Sequence, residues 1–198
     1  DVGYSYNLFD YTLYPNTLER NYVIEKIYNT LTVISYQNEI TVTVKGNTSG
    51  DKYDGNEKSV TGYKVVSITN DNGLYSSGDV SYNGVAIAKG TNAGTYKMGL
   101  SRDKFINTNE NFANVIFVLE EDGKLEIAKR EVTLTSATDS KVYDGTALTN
   151  KKVLASGDGF VKGEGATYDV TGTITNVGET KNEFSYTLKN NTSESNYD

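Results

Sequence analysis

The chain contains internal repeats, and these constrain the fold more than any single residue does. Residues 1–22 align without a gap with residues 176–197 at an offset of 175, and twelve of the twenty-two positions are identical. The identical positions carry apolar, turn-forming and aromatic residues. A second repeat, at an offset of 90, aligns residues 41–55 with residues 131–145. A repeat at fixed spacing predicts an array in which each module is one structural unit.

The register of the repeats divides the chain into three segments. Residues 1–36 form the C-terminal part of one repeat, residues 37–130 a complete repeat, and residues 131–198 a following repeat that lacks its last strand. The seam at residues 125–134 has neither proline nor glycine, so we expect a stiff junction, because flexible linkers are rich in glycine and serine. Neighbouring repeats are therefore the first expected partners. We also expect residues 1–34 of one copy to complete the third repeat of another by strand addition.

Residue alternation and composition predict an all-β protein. Apolar and polar residues alternate over short runs such as 40–44 and 63–68, and the chain has 16 Tyr, 19 Gly and one Pro. This pattern favours tandem small antiparallel β modules, most simply immunoglobulin-like sandwiches. Asp122-Gly123 and Asn83-Gly84 predict tight hairpin turns. Residues 101–112 are the one candidate helix, and a packed helix there would indicate β-grasp-like units instead.

Charge and missing residue types exclude several functions. The net charge is −7, with 26 acidic and 19 basic residues, and no basic run is present, which disfavours a nucleic-acid partner. No stretch approaches the length of a membrane span, so we expect no membrane contact by this segment. The chain has no Cys and no His, which removes the usual nucleophile–base pairs. We therefore expect no enzyme and assign no catalytic, cofactor-binding or metal-ligating residue; a carboxylate-dependent glycoside hydrolase is a remote alternative.

The most conspicuous motif is Tyr-Asp-Gly, which occurs at Tyr53-Asp54-Gly55 and at Tyr143-Asp144-Gly145. A structural interpretation explains it: the Asp bonds its own backbone in a turn, the Gly takes a positive φ and the Tyr packs as an anchor. Asn or Asp followed by Val or Ala and then Gly occurs at Asp1-Val2-Gly3, Asn92-Ala93-Gly94 and Asn176-Val177-Gly178. Asn-Tyr occurs near a repeat end at Asn21-Tyr22 and Asn196-Tyr197, and a closing strand is indicated at Thr30-Leu31-Thr32-Val33.

Together these motifs resemble the YDG and MBG repeat families of bacterial cell-surface proteins, over nearly the whole chain. Asn114-Val115 departs from the Asn-Tyr pattern, and residues 123–127 only approximate the closing strand. The resemblance implies a secreted or wall-anchored protein whose repeats form a stalk or contribute to adhesion. It implies no catalytic residues.

Two binding hypotheses remain open beside this one. The acidic loops at residues 51–57 and 157–159 present oxygen atoms of the kind that calcium takes, although neither has EF-hand spacing and solvated turns explain both. A glycan-binding face could form from the tyrosines and asparagines of the N-terminal segment, which are Tyr4, Tyr6, Tyr11, Tyr14, Tyr22, Tyr28, Asn7 and Asn16. The expected function is a non-catalytic extracellular stalk or spacer attached to the cell surface or wall. The alternative is an adhesin module that recognises a glycan or a host surface protein.

Overall fold

The computed structural model describes residues 2–198, and these are almost entirely β. Strand accounts for 42% of the chain and helix for 6%, with no helix of seven or more residues in the described part, which confirms the all-β prediction. Four 3₁₀ turns lie at Glu19–Asn21, Ser77–Asp79, Arg102–Lys104 and Glu194–Asn196. The strands are β1 Gly3–Tyr6, β2 Thr30–Val33, β3 Ile40–Gly46, β4 Thr48–Lys52, β5 Lys58–Thr61, β6 Tyr63–Thr69, β7 Val80–Tyr82, β8 Ile87–Gly90, β9 Gly94–Lys97, β10 Phe105–Asn107, β11 Val115–Glu121, β12 Lys124–Ala128, β13 Val132–Ser136, β14 Val153–Gly157, β15 Ala166–Val170 and β16 Phe184–Leu188.

The chain forms two compact units, and the first contains residues 2–45, 64–85 and 101–121. Its sheets are β1-β2, β7-β10 and the three-stranded β11-β3-β6. Alternate residues of β3 are fully buried, as expected for a strand with one face on a core. The buried apolar side chains of this unit are Ile40, Val42, Val44, Tyr75, Val80, Phe105 and Phe112.

The second unit contains residues 46–63, 86–100 and 122–198. Its sheets are β4-β12-β9, β5-β8, β13-β14 and β15-β16. Here β12 lies in the middle of its sheet, and its alternating Leu125 and Ile127 are buried while Glu126 is exposed. The buried apolar side chains of this unit are Tyr53, Ala88, Met98, Leu100, Leu125, Ile127, Val170 and Tyr197.

Two of the strand pairs described within residues 2–198 are parallel, which differs from the purely antiparallel modules that the sequence predicts. β11 pairs with β3, and β12 pairs with β4, both in parallel register. A parallel pair needs a long crossover connection, and about seventy residues separate the partners here. Apolar and polar residues alternate with the same period in parallel and antiparallel pairs, so the sequence pattern could not reveal the relative direction of paired strands.

Residues 101–112 do not form a packed helix, so the condition for the β-grasp alternative is not met. The helical part is confined to the 3₁₀ turn at Arg102–Lys104, and β10 follows it and pairs with β7. Asparagine side chains explain the absence of a longer helix. The Asn107 amide donates to the carbonyls of Asn109 at 3.0 Å and Phe112 at 2.9 Å, so it supplies the backbone with non-helical partners.

The two predicted hairpin turns are wrong. The strands that flank Asp122-Gly123 belong to different sheets, and so do those that flank Asn83-Gly84. Neither Gly84 nor Gly123 has a positive φ. Asp122 instead holds a distant stretch of backbone, because its carboxylate accepts the N–H groups of Gly99 at 3.0 Å and Leu100 at 2.9 Å.

The predicted segments 1–36, 37–130 and 131–198 do not coincide with the two compact units. Residues 37–130 contribute to both units, because the first unit joins them to the preceding segment and the second unit to the following one. The three segments describe the repeats of the sequence and stay a prediction as domains. We call them the first, second and third repeat below.

Candidate functional site at the repeat junction

Three aromatic rings and one carboxylate join the second and third repeats within the second unit. Tyr53 and Tyr197 meet edge to face with ring centroids 5.7 Å apart, and Phe160 lies 5.1 Å from Tyr197. The Glu164 carboxylate accepts both phenol groups, from Tyr53 at 2.5 Å and from Tyr197 at 2.7 Å. Burial, with the Glu164 carboxylate as a further cause, raises the pKa of Tyr53 to about 12. The cluster therefore combines aromatic packing with charge-assisted hydrogen bonds.

Arg130, at the seam between the two repeats, reaches three backbone carbonyls. Its guanidinium donates to Gly159 O at 2.8 Å, to Tyr53 O at 3.3 Å and to Asp158 O. Lys52 adds an ion pair with the Asp158 carboxylate at 2.8 Å, which lowers the pKa of that carboxyl group. A planar guanidinium that spans three acceptors fixes their relative positions, because moving any one of them breaks a hydrogen bond.

Asn196 is the most deeply buried polar side chain of the junction. Its Oδ1 accepts the backbone N–H of Ala93 at 2.8 Å, and its Nδ2 donates to Asn92 Oδ1 at 3.1 Å. A buried amide must have partners, because leaving it unpaired costs the desolvation of the group. Asn196 therefore ties the third repeat to one backbone position of the second.

The first unit repeats two of these contacts between the first and second repeats. Asn111 Oδ1 accepts the backbone N–H of Val2 at 2.7 Å, as Asn196 does from Ala93. The following residues, Phe112 and Tyr197, form equivalent parallel bridges with Tyr36 and Arg130. Asn111-Phe112 is thus the counterpart of Asn196-Tyr197, which sequence reasoning missed because it compared Asn114-Val115 instead. An Asn followed by an aromatic residue was the signal that could have found it.

The Asp and Gly residues of the two Tyr-Asp-Gly turns agree with the structural interpretation, but the prediction that the Tyr packs as an anchor is wrong for Tyr143. Gly55 and Gly145 have φ of 81° and 76°, so both take the predicted left-handed conformation. Asp54 Oδ1 accepts the N–H of Asn56, and Asp144 Oδ1 accepts that of Thr146, each at 2.9 Å. The Lys58 ammonium, with the Asn56 N–H, lowers the pKa of Asp54 to about 2. The tyrosines differ, since Tyr53 is 5% exposed and Tyr143 61% exposed.

The acidic loops considered for calcium are engaged with other partners. Asp54 pairs with Lys58 at 2.6 Å, and Asp158 binds Lys52 and the backbone N–H of Glu131. Within residues 2–198, no group of three or more Asp, Glu, His or Cys side chains could hold a metal ion. No helix in this part of the chain is long and apolar enough to cross a membrane.

Most tyrosines of the N-terminal segment are exposed to solvent. Tyr4, Tyr6, Tyr14 and Tyr22 each leave more than half of their surface accessible, while Tyr11 and Tyr28 are less exposed. Phe9 and Tyr28 form one edge-to-face pair at 5.6 Å. The segment thus presents aromatic faces, which a glycan-binding surface would require.

Comparison with known proteins finds no matching family model, no matching curated protein and no matching solved structure. The resemblance to the YDG and MBG repeats depends only on the short motifs given above. It stays a prediction.

Proposed function

We propose that this chain is a stiff, non-catalytic spacer of an extracellular bacterial surface protein. The observation that carries the proposal is the junction that occurs twice. At Asn111-Phe112 and again at Asn196-Tyr197, an amide accepts a backbone N–H from the preceding repeat and an aromatic ring packs beside it. Two contacts that recur at both joints, the amide-to-backbone hydrogen bond and the parallel bridge, suit an array whose repeats keep one orientation.

The contacts at the second junction favour stiffness for a physical reason. A single hydrogen bond contributes only about 0.5–1.5 kcal/mol. At this junction, however, the Arg130 guanidinium, the Asn196 amide and the Tyr53 phenol all bond across the seam. Any other orientation would leave buried donors and acceptors unpaired at once. One geometry is therefore favoured over all others.

Spin-label distance measurement tests the stiffness, and the absence of cysteine makes the chain suitable for it. Cysteines introduced at the exposed Ser59 and Thr187 would carry one label on each side of the junction. We expect a narrow distance distribution that broadens in the Asn196→Ala variant. The matched control is Asn190→Ala, which removes an exposed amide. A broad distance distribution in the labelled chain that keeps Asn196 would refute the spacer proposal.

An adhesin that binds glycans is the second candidate, because the aromatic exposure is concentrated in one repeat. A glycan array probed with the full chain tests this function directly. Binding that is lost when Tyr4, Tyr6 and Tyr14 are changed to Ser would favour the adhesin. Absence of binding, together with a stiff junction, would favour the spacer.

A further inference from the structure

A short surface loop of the second repeat is held at both ends by the first junction, which joins the first and second repeats. The carbonyl of Asn70 accepts a hydrogen bond from the Tyr36 hydroxyl at 3.0 Å. The ring of Tyr75 meets that of Phe112 edge to face, with the centroids 5.1 Å apart. Residues 71–74 connect these two contacts. The length of this turn therefore determines the spacing of two contacts of the junction.

The turn contains an Asn-Gly pair, Asn72-Gly73, in an open environment. Asn72 is exposed, and its φ of 52° is left-handed. Within residues 2–198, neither the Asn72 side chain nor the Gly73 N–H has a hydrogen-bond partner, and a Cβ added at Gly73 would have no atom within 4 Å. The turn is closed by the hydrogen bond from Leu74 N to Asp71 O at 3.1 Å. Few contacts therefore oppose a rotation of the backbone at Asn72.

An Asn-Gly pair with this freedom reacts slowly with itself in water. The backbone nitrogen of the glycine loses its proton and attacks Cγ of the asparagine. The bond from Cγ to Nδ2 breaks, the departing nitrogen takes up a proton and leaves as ammonia, and a succinimide ring remains. Water then opens the ring at either carbonyl and leaves aspartate or isoaspartate, so one water is consumed for each ammonia released. Glycine favours the attack because it has no Cβ to crowd the nitrogen.

We propose that Asn72 is a site of spontaneous deamidation that loosens the first junction with time. Isoaspartate inserts one methylene carbon into the backbone between Asn70 and Tyr75, and it adds a negative charge beside Asp71. The turn then no longer connects its two contacts at their present spacing, so the Tyr36 hydroxyl loses its acceptor at position 70. This inference concerns the chemistry of the turn and does not depend on the spacer proposal.

The other Asn-Gly pair of the chain, Asn83-Gly84, is also exposed but is held in place. The Gly84 N–H donates to Tyr82 O at 3.1 Å, and the Asn83 N–H donates to Lys104 O at 2.7 Å. A Cβ added at Gly84 would lie 2.9 Å from Tyr82 Cε1, so the space beside this glycine is occupied. The attacking nitrogen must first give up a hydrogen bond, which slows the reaction by about two- to tenfold. Asn83 is therefore a matched control site.

The corresponding loop of the second junction, which joins the second and third repeats, has no side-chain amide that could react in this way. Gly157 and Gly159 take left-handed φ of 77° and 66° two positions apart, as Asn70 and Asn72 do with φ of 64° and 52°. The carbonyl of Gly159 accepts the Arg130 guanidinium at 2.8 Å. Because glycine has no side chain, this loop keeps its backbone unchanged. Ageing should therefore distinguish the two junctions.

The test incubates the full chain in mildly alkaline buffer and follows both Asn-Gly sites by mass spectrometry. A protease that cleaves after Asp separates the sites into the fragments 72–79 and 80–103. We expect first-order loss of Asn72 at a rate at least about twofold that of Asn83, and labelling of the product by an isoaspartate methyltransferase. In the chain unfolded by guanidinium chloride, both sites should react at similar rates, because only the fold distinguishes them.

Two variants assign the fast reaction to its site. Asn72→Gln should abolish it, because the longer side chain closes a ring more slowly, whereas the matched control Asn83→Gln should leave it unchanged. Equal rates at the two sites of the folded chain would overturn the proposed modification site. A fast reaction that persists in Asn72→Gln would overturn it as well.

Amide hydrogen exchange of the aged chain tests the effect on the junction. The N–H groups of Tyr36 and Ala113, which bond across the first junction at 2.7 and 3.1 Å, should exchange faster after Asn72 has reacted. The N–H of Arg130, bonded to Asn196 O at 3.0 Å in the second junction, should exchange at its former rate. Unchanged exchange at Tyr36 would overturn the loosening of the first junction. None of these readouts measures the stiffness of the second junction, so the spacer proposal is tested separately.

Discussion

The second and third repeats share a sequence pattern but differ in how much apolar surface they bury. Thirteen apolar side chains are buried in residues 37–130, whereas residues 131–198 contribute only Val170 and Tyr197. The counterpart tyrosines show the same contrast, since Tyr53 is covered by the third repeat and Tyr143 is exposed. The difference teaches that the Tyr-Asp-Gly turn forms in both environments, whereas its tyrosine is buried only where a neighbouring repeat covers it.

The largest expected effect comes from truncating Leu125, a fully buried side chain of β12. Leu125→Ala should lower the local free energy of unfolding by about 2–5 kcal/mol, because it leaves a cavity in a fully buried site. Hydrogen exchange of the β4, β9 and β12 amides measures it. Leu154→Ala, at a site 51% exposed in the third repeat, is the control and should cost less than about 1 kcal/mol. Equal costs would contradict the contrast between the repeats.

Removing the buried amide of the junction should have the next largest effect. Asn196→Ala leaves the N–H of Ala93 without its acceptor, and this should cost about 1–3 kcal/mol. Urea denaturation followed by tyrosine fluorescence would report it, with Asn190→Ala as the neutral reference. If both variants unfold at the same urea concentration, the Asn196 contacts do not stabilise the junction.

Substituting the turn glycines would sharpen the comparison between the two Tyr-Asp-Gly motifs. Gly55→Val and Gly145→Val should each destabilise the chain by about 1–2 kcal/mol, because both positions have a positive φ. Gly55→Val should cost more, since an added Cβ would lie 3.3 Å from Val161 Cγ1, whereas nothing lies within 4 Å at Gly145. Thermal unfolding of the two variants compares them. A larger loss at Gly145 would count against the contact between an added Cβ at position 55 and Val161.

The smallest expected effect is a pH dependence of stability to which Tyr53 contributes. The pKa of Tyr53 is raised from 10.0 to about 12, so the folded state holds the phenol proton more tightly than the unfolded state. Its stabilising contribution is complete below pH 10 and is lost as the pH rises towards 12. Urea denaturation between about pH 9 and 12 should show a shallower decline in Tyr53→Phe than in the unsubstituted chain. If the free energy of unfolding falls equally steeply with pH in both chains, the phenol of Tyr53 is not buried in the folded state.

Much of the fold could be predicted because it depends on local pattern. Alternation located β3, β6 and β12, and the Tyr-Asp-Gly motif predicted two left-handed glycines. Strand direction was not predictable, because parallel and antiparallel pairs share the same period. The turn at Asp122-Gly123 was predicted wrongly for a related reason: local sequence favours a hairpin, while the parallel partners draw β11 and β12 into different sheets.

The junction was only partly predictable, because its contacts join residues far apart in the chain. The missing linker at residues 125–134 predicts stiffness, which stays a prediction, but it indicates none of the contacts. Arg130 and Glu164 carry no local signal, since their partners lie more than twenty-five residues away in the sequence. Asn111-Phe112 could have been found if the Asn-Tyr motif had been widened to any aromatic residue.

The parallel pairing of the first two strands of the second repeat, β3 and β4, with its last two, β11 and β12, also determines how this repeat would respond to mechanical force. Tension on the two ends of the repeat pulls β3 and β4 in the N-terminal direction and β11 and β12 in the C-terminal direction. Because these strands run in the same direction, the load acts along them and slides one past the other. All the hydrogen bonds between them are then stretched together rather than opened one at a time. The pair β4–β12 is loaded in the same way.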